Sequence, residues 1–447
     1  MAFGWSKIEK FLARFTPASL VLFGFLAIIV GGTFLLLLPF MVNPGCHLHF
    51  VDALFTATSA VCVTGLIVVD TATFFSLWGK MVILVLIQIG GLGYMTITTL
   101  LAMVIRRRIE YRGRLAIRDS FALDVPGGAV RFVLAVIRYT FFVEGIGFVF
   151  LFLGFLRYFT WKEAFFPALF HSISAFCNAG FSVFSNSLER FVLDPAICGT
   201  VMALIVLGGI GFVVMREVVE EKRLLSLHAR VVVGTTLLLV AVGTVFVLFL
   251  EWDNPQTMGK LPWWGRVMTG LFQAITPRTA GFNTVPIAAL KPATTALVML
   301  LMFIGASPGG TGGGVKTTTF AILLGMIWSF IRGREKVEFF HRRIASSVVY
   351  RAVALTMLAF SLIFVSGVFL LIFQETDPLD TFFEVISAFG TVGLSRGLTP
   401  YHSMVGKLVL VLNMYLGRVG ILTALVSFRA AQERRELLVY PEEKILI

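Results

Sequence analysis

Charge is scarce in this chain of 447 residues: 14% of its residues are charged, against 57% that are hydrophobic. A free soluble globule is excluded, because such domains carry about a quarter charged residues. Cysteine is scarce as well. Cys46, Cys62, Cys177 and Cys198 show no metal-ligand spacing, and Cys46-His47-Leu48-His49 reads as a loop with incidental histidines rather than a metal site. An enzyme embedded in a membrane needs clustered acids, histidines or a nucleophile at depth, and His171 alone does not supply them. Acidic groups inside the apolar runs are rare too, with Glu144 the nearest candidate for a proton or sodium site. The first apolar run lacks a small-residue cleavage site and is too long for a signal peptide, so it reads as a retained span.

What the chain does have is long uncharged segments. Pro17–Phe40 runs 24 positions without a charge, more than the roughly eighteen that mark a membrane-spanning helix. The net charge of +12 would suggest nucleic acid for a soluble protein. Here the basic residues fall between hydrophobic spans: Arg106–Arg108 through Arg118; Lys222, Arg223 and Arg230; Arg332, Arg334, Lys336, Arg342 and Arg343; and Arg429, Arg434 and Arg435. Lys7, Lys10 and Arg14 precede the first run, while Asp253, Glu375, Asp377 and Asp380 lie in the other set of loops. That is the positive-inside pattern, so a lipid bilayer is the expected partner, nucleic acid is not, and both termini are expected in the cytoplasm.

The stretch Glu384–Leu394, EVISAFGTVGL, organises the rest. It is an apolar helical run ending in Thr391-Val392-Gly393. Three earlier copies align on their glycines: Ser59-Ala-Val-Cys-Val-Thr-Gly65, Ser174-Ala-Phe-Cys-Asn-Ala-Gly180 and Ile275-Thr-Pro-Arg-Thr-Ala-Gly281. Each follows a short apolar or amphipathic segment, at Ala53–Val61, Ala164–Phe176, Val267–Ile275 and Thr381–Phe389. Repetition of this kind marks supersecondary units that cannot close a core alone. The expected architecture is an all-α polytopic membrane protein of four parallel helix–pore loop–helix repeats around one pseudo-four-fold pore. The repeats are expected at 1–118, 119–225, 226–343 and 344–447. Outer spans are expected near Ser19–Met41, Phe132–Leu156, Val231–Leu250 and Ser347–Phe373. Inner spans are expected near Leu77–Ile105, Ala196–Val219, Thr294–Ile331 and Val405–Phe428. Four glycine-anchored loops with carbonyls facing one axis would replace the water around a dehydrated potassium ion, and a loop at that depth must be buried or face water.

The inner spans carry a glycine signature: Ile89-Gly-Gly-Leu-Gly93, Leu207-Gly-Gly-Ile-Gly211 and Leu416-Gly-Arg-Val-Gly420. Small residues of this kind let membrane helices approach closely. The third repeat departs from it with Gly305-Ala-Ser-Pro-Gly-Gly-Thr-Gly-Gly-Gly-Val-Lys316. Each glycine costs a helix about 1 kcal/mol and the proline about 3, so irregular backbone is expected there. A phosphate-binding loop is the wrong reading, since Val315 separates Gly314 from Lys316 and no strand precedes it. The preferred reading is a gate of Gly305, Ser307, Pro308, Gly309, Gly310, Thr311, Gly312, Gly313, Gly314 and Lys316 lying across the conduction path. Arg418 joins it, because a charge in mid-span needs a cavity or a partner.

With these motifs in place, the whole chain resembles the Trk/Ktr/HKT superfamily of potassium transporters, most closely the membrane subunit of bacterial Ktr systems or a short Trk-type subunit. The resemblance implies potassium uptake, with sodium as a further candidate ion, and a homodimer whose monomers each hold a pore. It also implies a cytoplasmic ring of regulatory subunits that bind adenine nucleotides, so nucleotide acts only through that separate subunit. It places the filter at Cys62, Val63, Thr64 and Gly65; Cys177, Asn178, Ala179 and Gly180; Arg278, Thr279, Ala280 and Gly281; and Gly390, Thr391, Val392 and Gly393. It places Arg418 opposite the gate around Gly309–Gly314. Asn178-Ala179 and Thr279-Ala280 are poor copies of Thr-Val, which leaves strict potassium selectivity and sodium coupling open. A secondary solute transporter is the competing class, but its repeats would usually be inverted, and these run parallel.

Overall fold

The computed structural model describes residues 17–93, 96, 129–220 and 225–421. The basic groups at Lys7, Lys10, Arg14, Arg106–Arg108, Arg118, Lys222, Arg223, Arg429, Arg434 and Arg435, and the ends of the first and fourth inner spans, lie outside them. Apart from single turns, fourteen helices are described. They are α1 (Pro17–Leu36), α2 (Phe50–Val61), α3 (Leu77–Leu92), α4 (Ala129–Phe155), α5 (Trp161–Phe176), α6 (Pro195–Gly209) and α7 (Phe212–Glu220). There follow α8 (Leu227–Glu251), α9 (Trp263–Ile275), α10 (Pro292–Phe303), α11 (Thr317–Ile331), α12 (Ser346–Phe373), α13 (Pro378–Gly390) and α14 (Met404–Val419). The only strands among the described residues form a two-residue antiparallel hairpin, Glu338–Phe339 with Arg342–Arg343. It carries Arg342 and Arg343 of the third basic cluster and follows Arg332 and Arg334, and all four are exposed.

Helix starts follow side-chain chemistry. Ser76 accepts from the Gly79 amide at 3.2 Å, Ser403 from Gly406 at 3.2 Å, and Asp194 from Ala196 at 2.9 Å. Asp377 accepts from Leu379 at 2.8 Å. Each satisfies an amide that has no partner within its own helix. Pro195, Pro292 and Pro378 occupy first-turn positions, where a missing amide costs nothing.

Among the described residues, the long helices α1, α4, α8 and α12 are each long and apolar enough to cross a membrane, and α6 with α7 passes as a bent pair. They keep large side chains such as Phe141, Phe249 and Phe364 exposed, which suits an apolar solvent. The four short helices α2, α5, α9 and α13 occupy the interior. Phe55, Phe170, Phe272 and Phe383, one from each, are essentially fully buried. A half-buried ion pair, Lys407 Nζ to Asp52 Oδ1 at 2.6 Å, ties α14 to the first short helix, α2.

The inner spans differ from the expectation of continuous helices interrupted only in the third repeat. Helix α6 ends at Gly209 and the chain turns by 100° before α7 begins at Phe212. Helices α3 and α14 stop at Gly93 and Gly420, which, like Gly211, take positive φ values of 79°, 91° and 98° respectively. The last glycine of each signature is thus a helix terminator, because it reaches left-handed backbone without a Cβ penalty. The first glycine serves packing. A Cβ on Gly90, Gly208 or Gly417 would strike the carbonyl oxygen of Val61, Phe176 or Phe389, at the end of a short helix. Gly199, in the same helix as Gly208, faces open space. Replacing Gly208 with alanine should therefore lower stability by about 1–3 kcal/mol through overpacking. Gly199→Ala should leave it unchanged or raise it by up to about 1 kcal/mol. Thermal unfolding of the two variants in detergent compares them, and equal midpoints would refute the packing role.

Candidate functional site

The short helices α2, α5, α9 and α13 end at the repeated motifs, and two backbone features recur in all four. Gly65, Gly180, Gly281 and Gly393 have φ of 91°, 68°, 77° and 92°. Two positions earlier, Val63, Asn178, Thr279 and Thr391 are also left-handed, with φ of 57°, 59°, 74° and 50°. Three of those four are β-branched residues, for which such angles are costly outliers. Strain repeated at equivalent positions persists only where surrounding structure imposes it.

A hydroxyl group supplies part of that restraint. Ser59 Oγ accepts from the Gly65 amide at 3.0 Å and donates to the Leu66 carbonyl at 2.7 Å. Ser174 Oγ donates to Phe181 at 2.8 Å, and Ser387 Oγ accepts from Gly393 at 3.1 Å. In the third copy the group is Thr276, whose hydroxyl donates to Phe282 at 2.5 Å. It comes one residue later than the alignment on Ile275 expects. The serines were legible as a recurring Ser-Ala before Gly65, Gly180 and Gly393; the left-handed β-branched residues had no sequence signal, because their type argues against the conformation.

The four loops meet. A Cβ on Gly65 would strike the Ala179 carbonyl oxygen and lie 2.9 Å from the Gly180 Cα. On Gly180 it would lie 2.8 Å from the Ala280 oxygen, on Gly281 it would strike the Val392 oxygen, and on Gly393 the Thr64 oxygen. Each glycine therefore faces the residue before the next glycine, and the fourth returns to the first. On one side of this ring lies a cavity of about 300 Å³, lined by all four glycines together with Asp70, Glu189 and Arg396. Burial raises the Glu189 carboxyl above its ordinary range, partly offset by the Asn283 amide that donates to it at 2.7 Å.

Gly305–Lys316 lies on the other side. No helix links Phe303 to Thr317, as expected. A Cβ on Gly312 would strike the Thr279 hydroxyl and one on Gly313 would lie 2.6 Å from that of Thr391, so the segment packs directly against two left-handed residues. The Ser307 and Thr311 amides donate to Gly209 and Gly208 carbonyls at 3.0 and 3.2 Å. Gly314 donates to Gly417 at 3.3 Å, Gly313 donates to Thr391 Oγ1 at 2.9 Å, and the Phe212 amide donates back to Gly309 at 3.0 Å. The Arg418 guanidinium donates to the Thr311 and Gly90 carbonyls and lies 6.0 Å from the Phe25 ring. The Ser307 and Thr311 hydroxyls are engaged elsewhere, with Thr317 at 2.8 Å and Phe176 at 3.3 Å. Lys316 is half-buried and its ammonium donates to the Gly312 carbonyl at 2.7 Å.

Other candidates resolve simply. His171 is buried with both ring nitrogens engaged, by Pro167 at 2.8 Å and Ser182 at 2.9 Å. Glu144 is held by the Gln88 amide at 3.0 Å. Among the described residues no group of three or more His, Cys, Asp or Glu is placed to hold a metal. The Arg278 side chain leaves the ring and lines a separate gap with Thr236.

A family model described as TrkH, cation transport protein, matches residues 3–437. The chain belongs to this family. It is 38% identical to "Ktr system potassium uptake protein B" of Bacillus subtilis, over 98% of both chains. It is also 38% identical to "Potassium/sodium uptake protein NtpJ" of Enterococcus hirae, over 97% of this chain and 98% of that one. The crystal structure of the potassium transporter TrkH from Vibrio parahaemolyticus superposes with a TM-score of 0.73 at 20% identity, covering 91% of this chain and 83% of that one. The fold is therefore the helical TrkH membrane fold.

The hydroxyl restraints make a local prediction. Ser387→Ala leaves the Gly393 amide without its partner, and an orphaned buried donor costs about 1–3 kcal/mol. Thermal unfolding should drop accordingly, and Ser59→Ala should act the same way. Midpoints equal to the unaltered protein in both would assign the strained loops to some other restraint.

Proposed function

We propose that this chain carries potassium ions across the cytoplasmic membrane as the membrane subunit of a Trk/Ktr-type uptake system. The closed ring of Gly65, Gly180, Gly281 and Gly393 carries the reading, each facing the carbonyl before the next. Oxygens gathered in this way can stand in for the hydration shell of a potassium ion. The backbone of Cys62–Gly65, Cys177–Gly180, Arg278–Gly281 and Gly390–Gly393 supplies the filter in this proposal. The short helices end at these loops, and their partially negative C-termini favour a cation. The units are the repeats 1–118, 119–225, 226–343 and 344–447, arranged around one pore.

In the same reading Gly305–Lys316 is the gate, with Arg418 as its latch to the first repeat. The cavity bearing Asp70 and Glu189 is the outer mouth, and both termini face the cytoplasm. The chain works as a homodimer on a cytoplasmic ring of nucleotide-binding subunits, and it catalyses no covalent chemistry. A second reading has one support: the name of the Enterococcus relative couples potassium with sodium. Sodium-coupled or weakly selective transport on the same fold follows from it.

Uptake into proteoliposomes under separate potassium and sodium gradients tests both. Potassium flux that sodium neither drives nor blocks supports the main reading. Potassium flux that requires a sodium gradient selects the second, and absence of flux for either ion overturns both. Within this assay Arg418→Gln, or deletion of Pro308–Gly313, should raise potassium flux and leave the potassium-to-sodium ratio unchanged. Flux at or below the unaltered protein for both folded variants would assign the segment to packing.

A further inference from the structure

Three residues before each ring glycine stand Cys62, Cys177, Arg278 and Gly390, so one loop alone carries charge there. The Arg278 side chain is 8% exposed and turns from the ring into a gap between α6 and α8, walled by Ile205, Val206, Ile210 and Thr236. One nitrogen donates to Thr236 Oγ1 at 3.3 Å and Nε finds no acceptor. Among the described residues no carboxylate pairs with it. The contrast with Arg418 is direct, since that guanidinium has two carbonyl partners.

A guanidinium does not shed its proton in a protein. The gap has about 10 Å³ of room, enough for roughly one water. One water can accept from Nε but cannot cancel the charge. The adjoining C-terminus of α9 offsets at most about half a unit charge. The remainder acts through a medium of low dielectric, where unit charges interact over many ångströms.

We infer that Arg278 is an affinity-setting residue whose uncompensated charge, set behind the third loop, weakens cation occupancy of the ring. The inference rests on the potassium-pathway reading. Conduction requires an ion to bind well enough to enter and loosely enough to leave, and a fixed positive charge off the axis shifts that balance toward release. The charge touches no permeating ion. It works through the field it adds at the carbonyl ring.

The test is the concentration dependence of potassium uptake in proteoliposomes. Arg278→Gln should lower the KM for potassium by about three- to tenfold, with maximal rate unchanged or reduced, as expected when a unit charge is removed from a poorly screened interior. Arg278→Lys should stay near the unaltered protein. Thr236→Asp leaves the arginine in place and supplies a counter-charge beside it, so it should lower KM as the glutamine variant does. It also reads the charge if Arg278→Gln fails to fold, because damage to the loop would raise KM rather than lower it. Unchanged KM in the folded neutralised variants overturns the inference, as does an equal shift in the glutamine and lysine variants. A KM in the unaltered protein that moves when chloride is replaced by gluconate also overturns it, since an anion would then occupy the gap. Failure of the unaltered protein to transport potassium would instead strike the reading beneath it.

Discussion

Irregular backbone inside a membrane must find hydrogen-bond partners within the protein or in a wetted cavity, and that requirement governs this structure. The twelve residues from Gly305 to Lys316 present a run of amides and carbonyls with no helix to absorb them. Their partners come from helices that stop early. The break after Gly209 leaves the Gly208 and Gly209 carbonyls free to accept from Thr311 and Ser307, and the loop's Gly309 carbonyl accepts from Phe212 as α7 restarts. Helix α14 offers Gly417 in the same way. Interrupted helices and the glycine loop are therefore one construction: each supplies what the other lacks.

The same bonds bear on how such a loop moves. A hydrogen bond broken in a dry interior costs about 4–6 kcal/mol, whereas one exchanged for water costs about 0.5–1.5. Five backbone-anchored contacts and a doubly engaged guanidinium would lock the segment in dry surroundings. Motion on a useful timescale requires water to take over as contacts part.

The helical membrane fold and the placement of its helices were largely legible in the amino-acid order, and the local geometry much less so. Long apolar runs and four spaced glycines foretold α1, α4, α8 and α12 and the interior short helices within a few residues, because span length and backbone permissiveness are written in residue type. The broken inner helices were missed. Ile89-Gly-Gly-Leu-Gly93 and its relatives read as packing surfaces, yet their last glycine terminates the helix while the first sits against the carbonyl that ends a short helix. Nothing in a valine or threonine announces positive φ, so Val63, Thr279 and Thr391 could not be read ahead. Their conformation is held partly by the nearby hydroxyls and, for Thr279 and Thr391, by Gly312 and Gly313 packed against them. The family resemblance put Arg278 in the filter by its backbone; it left the side chain unplaced, and that side chain turns outward.

Departures from four-fold repetition concentrate in the third unit. It holds the long glycine segment, the shifted hydroxyl at Thr276 and the charged residue before its glycine. Had the four loops diverged by drift alone, changes would be spread among them, as the ring they build treats them alike. A ring needs all four carbonyls in register, and each Cα approaches the next loop within about van der Waals distance, so dense packing transmits a shift in one loop to its neighbours. Asymmetry is tolerable only behind the ring and beneath it. Those are the two places where the third unit differs: Arg278 and Thr276 stand behind the loop, and Gly312 lies under Thr279. In the proposed reading the ring can thus stay rigid while the third unit, with Arg418 of the fourth, carries the parts that act on it.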